Sequence, residues 1–163
     1  MSILGLRAPT DDDRPWMVAA LANGHRSQRW SLRGLSPSPG LVESLLRDQV
    51  ATQAVAAPPG RPGLALFQVV KVHEPTHSAD LELITAPGDL TLVRDTLARF
   101  TADVFASGGL RRLILATLDG HADVAALLPG ATPSLRLREQ EWTDDGVLSD
   151  LLVHELWAPE ASP

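Results

Sequence analysis

The sequence predicts an α/β fold of the α+β kind, one domain over residues 1–163 with a mixed central sheet and flanking helices. Three observations predict it. Ala79 to Thr85 has strand character, and Asp89 to Ser107 carries Val93, Leu97, Phe100 and Val104 on one helical stripe. Gly108-Gly109 stops that helix, and Arg111 to Leu118 returns as an apolar strand. Two last strands flank Asp144-Asp145-Gly146, whose residues suit a hairpin turn.

The other elements follow in order. Ile3 to Arg7 alternates like a first strand. Thr10 to Asp13 supplies capping carboxylates ahead of Pro15, which a first helical turn tolerates, so the acidic run reads as a helix cap and not as a metal site. Trp16 to Leu21 is helical and Asn23-Gly24 ends it; His25 to Gly40 is polar, arginine-bearing and Pro/Ser-rich, hence a loop. Leu41 to Val50 reads as a second helix with Leu41, Leu45 and Leu46 inward. Gln53 to Ala57 and Leu64 to Val72 read as strands joined by Pro58-Pro59-Gly60-Arg61-Pro62-Gly63, with β-branched Val69, Val70 and Val72 favouring extended backbone. Glu74 to Ser78 turns the chain. His121 to Leu128 is a short helix closed by Pro129-Gly130. Leu135 to Trp142 and Val147 to Trp157 form the closing hairpin, where Trp142 and Trp157 are expected to pack, and the tail after Pro159 is frayed.

Composition narrows the function classes. Net charge −6, spread along the chain, argues against nucleic acid, whose phosphates call for a basic face. The absence of cysteine removes disulfides, thiolate metal sites and a thiol nucleophile, and the absence of tyrosine removes one common acid. No run reaches membrane-spanning length and Met1 to Pro9 lacks signal-peptide character, so a cytoplasmic location is expected.

His73-Glu74-Pro75-Thr76-His77 matches the zinc-hydrolase pattern His-Glu-x-x-His. That pattern works on a helix, where histidines four apart share a face. Pro75 inside it and the β-branched strand before it oppose a helix, so a surface turn is expected and no metal is assigned. Asp80 and Glu82 share one face of their strand, being two residues apart. They are either acid–base groups or two solvated carboxylates.

The element order β-α-α-β-β-β-α-β-α-β-β resembles the GCN5-related N-acetyltransferase superfamily over nearly the whole chain. Leu6-Arg7 followed by Thr10-Asp11-Asp12-Asp13 looks like that family's first strand and helix start. Leu137-Arg138-Glu139 through Asp145-Gly146 to Asp150-Leu151-Leu152-Val153 looks like the final hairpin of its ribosomal-protein acetyltransferase branch. The resemblance implies that the fourth and fifth strands splay apart and open a cleft between them. It implies an acyl thioester as donor, acetyl-CoA or the pantetheine arm of an acyl carrier protein, and an amine of a small molecule or peptide as acceptor. It further implies a carboxylate base on the fourth strand, here Asp80 or Glu82, and pantetheine held by the backbone of Leu83, Ile84 and Thr85. Trp16 and Trp30, with Arg29 near, fall where that family builds its acceptor pocket; His121 falls where an acid could protonate the departing thiolate. A homodimer is a further family-level expectation.

One part of the pattern departs. The family's pyrophosphate loop, Arg/Gln-x-x-Gly-x-Gly/Ala, overlies Gly88-Asp89-Leu90-Thr91-Leu92-Val93, which keeps one glycine and no arginine. Asp89 is a good N-cap whose carboxylate competes for the N–H groups of Thr91 or Leu92 and repels phosphate. Two functions therefore stand side by side: acyl transfer, and a repurposed scaffold that binds another ligand or runs other chemistry in the same cleft.

Overall fold

Successive residues of the segment Ala65 to Val69 enter two different cores. Ala65, Phe67 and Val69 pack in the cluster under the long helix, while Leu66 joins Met17, Val55, Ala57 and Ile84 under the first helix. A strand buried on both faces needs this alternation of two apolar sets.

The computed structural model describes residues 4–22, 40, 43–44, 46–48, 50–85, 91–119, 127–142 and 148–159. Among them run β1 (Gly5–Arg7), a 3-10 turn (Asp11–Asp13), α1 (Arg14–Ala22), β2 (Val50–Ala57), β3 (Ala65–His73), a second 3-10 turn (Glu74–Thr76) and β4 (Ser78–Thr85). Then follow α2 (Thr91–Ala106), β5 (Arg112–Leu118), β6 (Thr132–Trp142) and β7 (Leu148–Trp157). The seven strands form one sheet in the order β1-β2-β3-β4-β5-β7-β6. It is antiparallel except at β4–β5, which is parallel. Among the described residues, no helix is long and apolar enough to cross a membrane.

The stripe expected on α2 is the one it buries: Val93, Leu97, Phe100 and Val104 all face the sheet, and the Phe100 ring lies 5.6 Å from that of Phe67. Gly108 (φ 78°) and Gly109 (φ 99°) then take the left-handed backbone that ends the helix without a Cβ clash.

Three expectations need correction. Within the helix expected at 41–50, Glu43 and Ser44 are helical and Leu46 to Asp48 form a turn, but Val50 already belongs to β2. Val50 pairs with Val70, so the ladder prevails over helical spacing. β6 starts at Thr132, before Leu135, and includes Pro133; an edge strand tolerates a residue without an N–H. Trp157 does not pack inside. It is 56% exposed, with the Arg112 guanidinium 5.3 Å from its ring centroid. The Trp142 side chain and residues 143–147 lie outside the description, as does the expected 121–128 helix up to 126, and so does the tail from 160 onward.

The acidic run at Asp11–Asp13 does more than cap. Asp13 is fully buried and accepts from both Nη atoms of Arg7 (2.5 and 2.8 Å), the N–H and hydroxyl of Thr10 (both 3.0 Å), Trp16 Nε1 (3.3 Å) and Gly63 N–H (2.9 Å). The Arg7 guanidinium, helped by those N–H donors, holds the Asp13 carboxyl far below the usual carboxylate range. One carboxylate thus joins β1, the start of α1 and the β2–β3 hairpin.

Candidate active site

β4 and β5 pair at Ser78↔Arg112, Ala79↔Leu113 and Asp80↔Ile114, and there the pairing ends. Both strands continue, β4 to Thr85 and β5 to Leu118. Each holds its other neighbour to the end: Thr85 pairs with Ala65 of β3, and Leu118 with Leu151 of β7. The sheet therefore opens in its middle. Among the described residues, the β4 edge facing β5 has no ladder partner from Leu81 to Thr85, which leaves backbone donors and acceptors for an extended ligand.

Glu82 lies on the open stretch of β4 and is 2% exposed. It shares the α1-side face of the sheet with Ile84, as the alternation along the strand requires. Opposite it in the β3–β4 ladder stands Gln68, fully buried, and opposite Gln68 in the β2–β3 ladder stands Gln53. Gln68 Nε2 donates to Gln53 Oε1 at 3.0 Å. A row of polar side chains, Gln53, Gln68 and Glu82, thus crosses three strands. Of the two readings of the carboxylate pair, solvation does not apply to Glu82.

Asp80 differs. It is half-buried at the last β4–β5 pair and forms an ion pair with Lys71 Nζ at 3.3 Å. Lys71, with φ 51°, sits where the β3–β4 register shifts between Val70 and His73. Asp80 therefore carries a cation partner at the closed end of the gap, and Glu82 stands two residues further along β4, within the gap.

Leu83, Ile84 and Thr85 are buried along the same stretch of β4, and Thr91 opens α2 beyond it. Gly88, Asp89 and Leu90 lie outside the described residues, and so do Arg29, Trp30 and His121. Trp16, which the resemblance assigned to the acceptor pocket, packs over Gly63 and gives its indole N–H to Asp13.

The His-Glu-x-x-His segment forms a single 3-10 turn between β3 and β4, with Pro75 at its start and His77 left-handed (φ 49°). This is more helical than a plain turn, yet too short to bring the two rings to one face. His73 Nδ1 lies 2.7 Å from Thr76 Oγ1, and His77 Nδ1 donates to the Gly109 carbonyl at 3.0 Å.

Sequence reading did not single out Gln53, Gln68 or Thr117. Gln68 is a lone amide in the apolar run Leu64 to Val70, and Thr117 the lone hydroxyl of β5. Polar residues inside apolar strands are the signal that would have found both.

No family model matches the sequence, and no curated protein matches it. Solved structures do. Spermidine N-acetyltransferase from Vibrio cholerae, in complex with CoA and spermine, superposes with a TM-score of 0.74 at 17% identity, over 96% of this chain and 96% of that one. Ribosomal-protein-alanine N-acetyltransferase from Brucella melitensis gives 0.75 at 20% identity, over 95% of this chain and 100% of that one. The chain has the fold of the GCN5-related N-acetyltransferases, including its parallel β4–β5 pair.

Proposed function

We propose that the protein transfers an acyl group from a pantetheine thioester, of coenzyme A or of a carrier-protein arm, to an amine of a small molecule or peptide. The observation that carries this reading is the gap between β4 and β5 with a buried carboxylate, Glu82, on its wall. The unpaired β4 edge from Leu81 to Thr85 suits the two amides of a pantetheine arm, which is a chain of extended peptide-like groups. The similar V. cholerae structure holds CoA and spermine, which supports a thioester donor and an amine acceptor.

In this reading Glu82 takes a proton from the acceptor ammonium, directly or through one water. The freed amine nitrogen attacks the thioester carbonyl carbon; the C–N bond forms, the nitrogen's second proton passes to water, the C–S bond breaks, and the thiolate leaves to be protonated by water or by His121. Asp80, paired with Lys71, is the weaker candidate for base.

A carrier-bound donor fits the Gly88–Val93 sequence better than free coenzyme A, because a carrier arm brings no adenosine pyrophosphate to a helix start bearing Asp89, Leu90 and Leu92. The same sequence supports the second reading, a scaffold that has given up acyl donors. Calorimetry with acetyl-CoA and S-acetyl-pantetheine, paired with mass spectrometry of polyamines and peptides incubated with both, separates them. Acetylated product from either donor is expected. Binding of neither donor at millimolar concentration overturns acyl transfer and leaves the repurposed scaffold.

A further inference from the structure

Thr117 is 2% exposed and its hydroxyl has no hydrogen-bond partner among the described residues. A buried hydroxyl left unsatisfied is costly, so most such groups have a partner. The other residues at the centre of β5, Leu113 to Ala116, are aliphatic, and valine would fill a β-branched position without that cost. The location of Thr117 supplies the second observation. Ladder pairing between β4 and β5 ends at Asp80↔Ile114, and continuing the same register sets Thr117 level with Leu83 across the gap. Alternation puts its side chain on the face of Leu113 and Leu115, the side of the sheet covered by α2. Thr85, on that same face of β4, is also buried.

We propose that the Thr117 hydroxyl is a ligand-binding group that hydrogen-bonds the acyl donor in the gap, at a pantetheine amide or at the thioester oxygen. This rests on the acyltransferase reading above. A threonine hydroxyl donates one hydrogen bond and accepts others, so it serves an amide N–H or a carbonyl oxygen equally. Leu83 and Thr117 then face each other across the donor, the first offering backbone and the second a side chain.

Calorimetry and thermal melts on the wild type, Thr117→Val and Thr117→Ser test it, with acetyl-CoA and S-acetyl-pantetheine as probes. Thr117→Val should melt no lower than the wild type, since the lost hydroxyl has no internal partner. It should bind both donors roughly 3- to 10-fold more weakly, the weight of one hydrogen bond. Thr117→Ser should bind both within about 2-fold of the wild type. Equal loss for both donors sets the contact on the part they share. Loss for acetyl-CoA alone would set it on the nucleotide and overturn the proposal. Unchanged donor binding by Thr117→Val, or a melt several degrees lower, overturns it too, while the acyltransferase reading stands. A wild type that binds neither donor overturns both.

Discussion

Arg7 grips Asp13 with both Nη atoms, at 2.5 and 2.8 Å, across the turn between β1 and α1. Arg7 is one-third exposed while Asp13 is wholly buried, so the arginine acts as a lid on a carboxylate that faces inward. Fork-to-carboxylate geometry of this kind is directional as well as strong. With Gly63 N–H arriving from the β2–β3 hairpin, the pair ties the end of β1 to the start of α1.

Asp13→Asn should destabilise the protein by about 3–5 kcal/mol in urea unfolding, because an amide NH2 would face N–H donors and Arg7 would lose its counter-ion. The pH dependence has a definite sign. Asp13 titrates lower in the folded state than its unfolded value of about 3.9, so its contribution is present above that pH. It fades as pH falls through about 4 towards the folded value, and the gap between wild type and Asp13→Asn should narrow over that range. A gap that stays constant from neutrality to pH about 2 would count against the ion pair.

Gly63→Ala should cost about 1–3 kcal/mol, the usual effect of overpacking. A Cβ there would stand 2.3 Å from Val55 Cγ1 and 2.9 Å from Trp16 Cζ2, both side chains of the α1-side core and its rim. Gly60→Ala, which meets open space but has φ 66°, should be destabilising through backbone strain alone. Thermal melts compare the two. Trp16 fluorescence should shift for Gly63→Ala and not for Gly60→Ala.

Glu82→Gln should lower kcat for acyl transfer by about 10²–10⁴-fold with donor binding retained, as expected for loss of a general base. Asp80→Asn should lower it far less, since Asp80 sits at the closed end of the gap with Lys71. Equal losses from both variants would assign the base role to the pair. A fully active Glu82→Gln would remove the carboxylate from the chemistry.

Arg136 reaches Asp150 through Nε and Asp119 through Nη2, each at 2.5 Å, and ties β6 to β7 and to the end of β5. Its side chain is 56% exposed, so salt should weaken the tie. Arg136→Gln should lower the melting temperature at low ionic strength, and the difference should shrink at about 1 M NaCl, where the screening length is about 3 Å. A difference independent of salt would point to packing of the arginine stem instead.

What could be read from sequence alone was whatever repeats locally. The α2 stripe declares itself because Val93, Leu97, Phe100 and Val104 recur at helical spacing, and the alternation of β4 places Asp80 and Glu82 on one face before any partner strand is known. Contacts between distant segments were not legible. Asp13 looks like an ordinary cap until Gly63, fifty residues on, is seen to donate to it. Gln53 and Gln68 meet only through strand register, and Thr117 matters only because β4 and β5 stop pairing before they reach it. Val50 lies in β2 and not in the expected helix for the same reason, since its partner Val70 lies on another strand.

The sheet is mechanically uneven. Three residue pairs join β4 to β5, whereas seven join β3 to β4 and seven join β5 to β7. The sheet thus divides into two well-paired plates joined at one end, β1 to β4 and β5 to β7, and the seam between them has three pairs, as few as join the short edge strand β1 to β2. A molecule seated in that seam acts as a rivet between the plates. Its signature would be mechanical as well as chemical: amide protons of Leu81 to Thr85 and of Leu115 to Leu118 should exchange more slowly together when the seam is filled, while those of the outer strands hardly change.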